Sequence, residues 1–332
     1  MKAIIPVAGL GTRLRPHTYT NPKVLLPVAG KPMVAHILDE LVNLNVEEVT
    51  FIVHHFGEDI KKWVEEHYSF RSNFVKQEEL LGLGHAISLT APFHRKDDAV
   101  LIILGDTIFY ADLASILTWR ENAIGVKSVD DPRRFGIVEL KGDRVVRLIE
   151  KPEKPPSKLA IVGIYHITQP RLLYDCLDDI IREGKTTKGE IQLTDALQLM
   201  LDKGAPFRTF EIEEWLDCGK PETLLDTNRR ILDNTYSGKQ DALFKMRYPS
   251  AIIKPPVAIH ESAVILDSVV GPHVTICENA RIENSIIQNS IIDQNARIKN
   301  LILENSLIGD SACAVSKSYR LNVGDTTEID IG

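Results

Sequence analysis

Small residues and fixed cations cluster at the front of this chain in a pattern suited to holding phosphate. In the segment from Ile4 to Pro32, IIPVAGLGTRLRPHTYTNPKVLLPVAGKP, the residues Ala8, Gly9, Gly11 and Thr12 follow an apolar run where the chain must turn, and Arg13 and Lys23 come after them. Residues without bulk let backbone N–H groups approach an anion and form a concave site. Arg13 adds a planar fork of donors and Lys23 a point charge, so the segment reads as a triphosphate-binding loop. It is not a P-loop, because no Gly-Lys-Ser/Thr follows at the required spacing. Nor is it a dinucleotide fingerprint, because Leu14 stands where the third glycine belongs.

Two carboxylates and an amide complete the chemistry. Asp106, in Leu104-Gly105-Asp106-Thr107, ends the apolar run Ala99 to Leu104, which directs it toward the same crevice as the glycine loop. A hard oxygen ligand facing a triphosphate suits Mg²⁺, which binds one or two carboxylates and leaves its other positions to phosphate and water. Asp217, in Trp215-Leu216-Asp217-Cys218-Gly219, is a second carboxylate in a similar strand-to-turn setting. Gln77 carries an amide that donates and accepts at once and so can read the edge of a base, and Gly82 lets backbone approach it. His54, His55 and His85 read as structural, since no carboxylate partner accompanies them in the sequence.

These residues need a frame, and the pattern supplies one. Up to about Asn234, runs rich in Val and Ile (Lys2 to Val7, Glu48 to His54, Ala99 to Leu104, Ala123 to Val129) alternate with helical patterns (Met33 to Leu44, Gly57 to Glu66, Gly84 to Thr90). That order predicts an α/β fold, Rossmann-like and doubly wound, with a mostly parallel sheet and ligands at the carboxyl ends of its strands. The stretch Ser237 to Pro256, broken by Gly238, Pro249, Pro255 and Pro256, reads as a junction. Beyond it the sequence repeats: Ile259 and Ile265, Ile276 and Ile282, Ile292 and Ile298, then Ile308. The isoleucines lie six apart within a unit and about sixteen or seventeen apart between units, so they stack only if each segment is one flat side of a coil. The expected domains are residues 1–240 and a β-solenoid over residues 250–332.

A chain of 332 residues suits two domains, and 44% hydrophobic with 26% charged residues is ordinary for a globular protein. The net charge of −7 argues against a grip on nucleic acid. No charged leader precedes the first strand and no apolar run approaches a membrane span, so a cytoplasmic protein without a membrane partner is expected. Cys176, Cys218, Cys277 and Cys313 form no CxxC pair, which argues against a zinc site or disulfide framework.

Gly-x-Gly-Thr-Arg-Leu followed by Pro-Lys and Leu-Leu-Pro-Val-x-Gly-Lys-Pro resembles the signature of the sugar-1-phosphate nucleotidylyltransferases, and the resemblance runs to the C-terminus. It implies that Asp106 and Asp217 bind Mg²⁺ together and that Gln77 and Gly82 recognise the nucleobase. It also places Gly136, Glu150, Lys151 and the backbone of Ile161 on the sugar-phosphate side, Lys151 neutralising the phosphate and Glu150 accepting from sugar hydroxyls. The repeat is similar to a left-handed parallel β-helix. The implied reaction is nucleotidyl transfer from a nucleoside triphosphate to a sugar 1-phosphate, with Arg13, Lys23, Asp106, Lys151 and Asp217 as the catalytic set, in a homo-oligomer, dimer or tetramer. The motifs look most like uridylyl and long thymidylyl enzymes acting on glucose 1-phosphate. Ala8 stands where many thymidylyl and guanylyl relatives have a glycine, which keeps mannose-1-phosphate guanylyl transfer in view. Two other readings are an acyltransferase built on the solenoid and a non-catalytic regulator. The first lacks a motif around His260 or His273, and retention of the charged set opposes the second.

Overall fold

Ala3, Ile4 and Ile5 are buried on both sides of the strand Lys2–Pro6, as a parallel strand with helices on each face requires. The computed structural model describes residues 1–96, 99–239 and 241–317. The chain forms two units, one of residues 1–26 and 31–224, the other of residues 27–30 and those from 225 onward. The second unit begins ahead of the stretch that reads as a junction, and that stretch contains a helix, Asp241–Arg247.

The sheet of the first unit has nine strands, in the order Arg71–Lys76, Glu48–Val53, Lys2–Pro6, Val100–Ile103, Leu159–Ile167, Asn122–Ser128, Phe207–Glu211, Arg144–Glu150, Gly136–Lys141. The first four are parallel and form the core that the alternating pattern predicts. Leu159–Ile167 then runs antiparallel to both of its neighbours. Phe207–Glu211 lies parallel to Asn122–Ser128, and the last two strands pair as an antiparallel hairpin.

Successive side chains of a strand point to opposite faces, so each core strand feeds two hydrophobic layers. Ile4, Ile52 and Ile102 pack with Leu173, Tyr174 and Leu177 of the helix Pro170–Arg182 and with Leu197 and Met200 of the helix Leu193–Asp202. Ala3, Ile5, Phe51, Val53, Leu101 and Ile103 belong to the other layer, with Ile37, Leu38 and Leu41 of Met33–Asn43 and Ile60 and Val64 of Gly57–His67. Pro170 opens its helix at the one position where a missing N–H costs nothing, and buried Leu173, Tyr174, Leu177 and Ile180 then recur at helical spacing. The carboxyl ends of the four parallel strands therefore stand in a row, followed by Ala8, His54, Gln77 and Asp106.

Among the described residues of the second unit, twelve short strands build three parallel four-stranded sheets, the three sides of a β-helix. Ile259, Ile276, Ile292 and Ile308 stack along one side, and Ile265, Ile282 and Ile298 along the next, as their spacing predicts. The corners carry a signal that the isoleucine pattern does not. Asn279, Asn284, Asn289, Asn295, Asn300 and Asn305 all have positive φ, as do Asp267, His273 and Ser311. At these corners the chain turns through a left-handed residue, and Asn tolerates that conformation better than other non-glycine residues. Among the described residues no helix is long and apolar enough to cross a membrane.

Candidate active site

The strand Lys2–Pro6 stays tied to the sheet one residue past its end, where Val7 N donates to Ile52 O at 2.8 Å. The chain then leaves through Ala8–Leu10 and reverses at Gly11, whose φ is 60°. A Cβ there would lie 2.9 Å from both Lys23 Cβ and Thr18 Cγ2, so glycine is required by contact as well as by conformation. The Thr18 hydroxyl donates to Gly11 O at 2.8 Å and fixes the turn. Thr12–Leu14 closes a single 3₁₀ turn anchored by fully buried Leu14, and the same turn presents Arg13. Lys23 opens a second such turn after Pro22. Its side chain is only 7% exposed, and its Nζ donates to Asp106 Oδ2 at 2.8 Å.

Asp217 reaches this charged group through a separate ribbon. Thr107–Tyr110 pairs antiparallel with Glu214–Asp217, and Asp217 stands opposite Thr107, the residue after Asp106. Gly219 N donates to Asp217 Oδ1 at 2.9 Å. A Cβ on Gly219 would lie 2.7 Å from Arg13 Nη2 and 2.9 Å from Asp217 Oδ1, so the Arg13 guanidinium and the Asp217 carboxylate flank the same glycine. Two carboxylates and two cations, drawn from four segments, thus gather at the ends of the core strands.

Gln77 is buried, and the two histidines nearest it hold it in place. His54 Nδ1 lies 2.7 Å from Gln77 O, and Gln77 Nε2 lies 3.1 Å from His85 Nδ1 and 3.2 Å from Gly82 O. The structural reading of His54 and His85 agrees with these contacts. Ala8, Gly9, Gly11, Thr12, Arg13, Lys23, Gln77, Gly82 and Asp106 line one crevice of about 430 Å³, with Val24, Leu80, Leu83 and Ala86 as apolar wall. Glu190 and Gly219 line it too, and neither stood out in the sequence as a contributor.

The residues expected on the sugar-phosphate side form a second group beside that wall. A Cβ on Gly136 would meet Glu150 Oε2, Ile161 Cδ1 and Thr194 Oγ1, each at 3.0 Å, so these four residues converge on one point. Thr194 donates to Glu150 Oε2 at 2.6 Å, and Lys151 Nζ lies 3.4 Å from Glu150 Oε1. Burial first, and the Glu150 charge second, push the phenol of Tyr165 upward and keep it neutral. The segment Glu190–Thr194 joins the two groups. Ile191 N donates to Leu81 O and Ile191 O accepts from Gly84 N, both at 2.8 Å, which seats Glu190 at the crevice while Thr194 holds Glu150.

The profile of the family described as Nucleotidyl transferase matches residues 2–234. The chain belongs to the nucleotidyl transferase family. That membership bears out the resemblance carried by the glycine loop and its Pro-Lys sequel. Among relatives of this transferase, the low-salt glycan biosynthesis nucleotidyltransferase Agl11 of Haloferax volcanii is 30% identical over 321 residues, covering 88% of this chain and 87% of its own. The glucose-1-phosphate thymidylyltransferase of Streptomyces antibioticus is 30% identical over 316 residues, with the same coverage. Against the bifunctional GlmU protein of Methanococcus maripaludis, 38% identical over 240 residues, this chain spans 56% of the relative's length. A solved structure from Bacillus anthracis, provisionally assigned as a glucose-1-phosphate thymidylyltransferase and in complex with a sucrose, is 28% identical with a TM-score of 0.61. It matches over 72% of this chain and 98% of its own.

Proposed function

We propose that this protein transfers a nucleotidyl group from a nucleoside triphosphate to a sugar 1-phosphate, with glucose 1-phosphate and dTTP or UTP as substrates and pyrophosphate as leaving group. The observation that carries the reading is the single crevice in which the glycine turn, Arg13, Lys23 and Asp106 meet, beside the cluster of Gly136, Glu150, Ile161 and Thr194. A sugar phosphate is already ionised at neutral pH, so the reaction needs alignment and charge neutralisation rather than a general base. Its phosphate oxygen attacks the α-phosphorus in line while the bond to the β-phosphate oxygen breaks. In this reading Arg13 holds the departing pyrophosphate, Lys23 reaches the α-phosphate and Lys151 steadies the nucleophile. Glu150, fixed by Thr194, accepts from sugar hydroxyls.

The donor chemistry of the site suits Mg²⁺: two hard carboxylates, Asp106 and Asp217, with a cation position already marked by Lys23 Nζ on Asp106 Oδ2. The metal would supply further neutralisation of the phosphates. Gln77 bears on the choice of base. Its side-chain amide spends Nε2 on Gly82 O and His85, so what it offers a ligand is the Oε1 acceptor. Thymine and uracil present an N3–H to such an acceptor, and guanine an N1–H, whereas the ring N1 of adenine and N3 of cytosine are themselves acceptors, so Gln77 disfavours adenine and cytosine and leaves guanine to the substrate panel. The thymidylyltransferase of Streptomyces antibioticus adds weight to the choice of glucose 1-phosphate. We assign the β-helix to subunit contact or control within a closed homo-oligomer.

The test is pyrophosphate release from a panel of nucleoside triphosphates crossed with sugar 1-phosphates. Highest turnover is expected for glucose 1-phosphate with dTTP or UTP. A preference for GTP with mannose 1-phosphate overturns the substrate choice, and no release with any pair overturns the activity. Asp106→Asn should stay folded and lose at least about a hundredfold in turnover, the scale of one lost charge contact in a transition state.

A further inference from the structure

Lys23 Nζ and Asp106 Oδ2 form an ion pair inside the crevice that both residues line. The Asp106 carboxylate is about half exposed, whereas Lys23 is 7% exposed, with Gly11 packed against its Cβ and Cγ. The ammonium is thus held from behind and delivered onto Oδ2 at 2.8 Å. Thr107 Oγ1 stands 3.4 Å from the other oxygen. The second carboxylate, Asp217, stands across Gly219 from the Arg13 guanidinium.

We propose that Lys23 is a latch on the metal site: in the free protein it occupies Asp106 in place of a divalent cation, and a bound nucleotide releases Asp106 by drawing Lys23 onto its phosphates. The proposal rests on the reading that Asp106 binds the metal, and it goes beyond that reading by making metal and nucleotide binding conditional on one another. The exchange conserves charge pairing at each step. Before binding, ammonium meets carboxylate; afterwards ammonium meets phosphate and the carboxylate meets the cation. A buried charge left without its partner is costly, so neither half of the exchange is favourable alone. The cation by itself must compete with a hydrogen-bonded ammonium for Asp106. The nucleotide by itself must separate the pair and leave Asp106 facing the phosphates. By linkage each ligand then strengthens the other by the same factor.

The test measures Mn²⁺ binding directly, by electron paramagnetic resonance of the free ion, on the full chain with and without a non-reacting dTTP analogue bearing a methylene between its α- and β-phosphorus. Wild type should bind Mn²⁺ weakly alone. Lys23→Met, which keeps the length and apolar stem of the side chain, should bind it about tenfold more tightly alone, within the range usual for coupled sites. The analogue should then tighten Mn²⁺ by correspondingly less in Lys23→Met than in wild type. Lys23→Gln serves the same purpose should the methionine variant not fold. Lys151→Met, which removes a cation that does not contact Asp106, should leave free Mn²⁺ affinity within about twofold, and Asp106→Asn should abolish the gain in the double variant. A Lys23 variant that binds Mn²⁺ no more tightly than wild type, while the analogue still creates an Asp106-dependent site, refutes the latch and leaves the metal assignment standing. Absence of any Asp106-dependent Mn²⁺ binding in every state overturns the metal assignment and the latch with it.

Discussion

Gly82→Ala is the sharpest single test of how the crevice is built. Gly82 has φ 110° and ψ 173°, a region open almost only to glycine, and an L-residue held there costs about 1–3 kcal/mol. The added Cβ would also lie 2.6 Å from Ile191 O, 3.0 Å from Ile191 N and 2.9 Å from Glu190 Cβ. Two of those atoms are backbone, and they cannot drift freely, because Ile191 N donates to Leu81 O and Ile191 O accepts from Gly84 N. Relief requires loosening one of these bonds at about 1 kcal/mol net. The sum is about 3 kcal/mol, which for a unit of this size lowers the thermal midpoint by roughly 6–12 °C. The functional effect runs through Gln77, whose Nε2 is held by Gly82 O. A displaced carbonyl lets the amide turn, so the KM for the nucleoside triphosphate should rise about tenfold while turnover at saturation falls by less, the pattern of lost uniform binding. Calorimetry and steady-state pyrophosphate release read the two effects separately. A variant that melts within about 1 °C of wild type and keeps its KM would refute the packing argument.

Three further outcomes follow from the same contacts. Glu150→Gln removes a largely buried charge that accepts from Thr194 and faces Lys151; it should raise the KM for the sugar 1-phosphate about tenfold and leave that for the nucleotide unchanged in initial-rate measurements. Asn284→Val forces a β-branched residue into φ 47° at a solenoid corner and should cost about 1–2 kcal/mol in a denaturant melt, whereas Asn284→Gly should be nearly neutral. Asp293, in the solenoid, has its carboxyl pushed up to about 6 by burial, against the Gln294 N–H that favours the ionised form and with Asp310 adding to the rise. The folded chain therefore keeps a proton that the unfolded chain loses above about pH 4. Stability of the unit should be full below that pH, fall as pH rises to about 6 and stay level above it. Asp293→Asn should flatten this fall, and equal slopes for the two proteins between pH 4 and 6 would count against it.

Much of the site was legible because its parts are local. The turn at Gly11, the turn that presents Arg13 and the strand end that carries Asp106 each declare themselves within a few residues, and a strand that must be buried on both faces reads as an unbroken apolar run. Direction is another matter. Nothing in Leu159–Ile167 distinguishes an antiparallel strand from the parallel ones beside it, because the same alternation buries both. The isoleucine columns of the solenoid were legible from spacing alone. Its asparagine corners were equally periodic, yet they become meaningful only once a corner is known to need a left-handed residue.

Glu190 and Thr194 show why the remainder was hidden. Neither belongs to a motif whose chemistry is evident in one dimension; Glu190 reaches the crevice and Thr194 reaches Glu150 because Ile191, between them, is stitched to Leu81 and Gly84 far earlier in the chain. The same stitching explains the histidines. His54 and His85 carry no partner in the sequence that would mark them as acid or base, and in the fold both touch Gln77. His85 and the Gly82 carbonyl hold the nitrogen of the Gln77 side-chain amide while His54 holds the main-chain carbonyl of the same residue, and the side chain is then left with a single acceptor to present. A site arranged to offer one oriented acceptor discriminates by what it leaves unpaired: a base that sets a ring acceptor against it, as adenine N1 or cytosine N3 does, would leave Gln77 Oε1 without a donor, at a cost of about 1–3 kcal/mol. The charged residues at the strand ends can serve any triphosphate, so selectivity among bases has to come from neutral groups such as these.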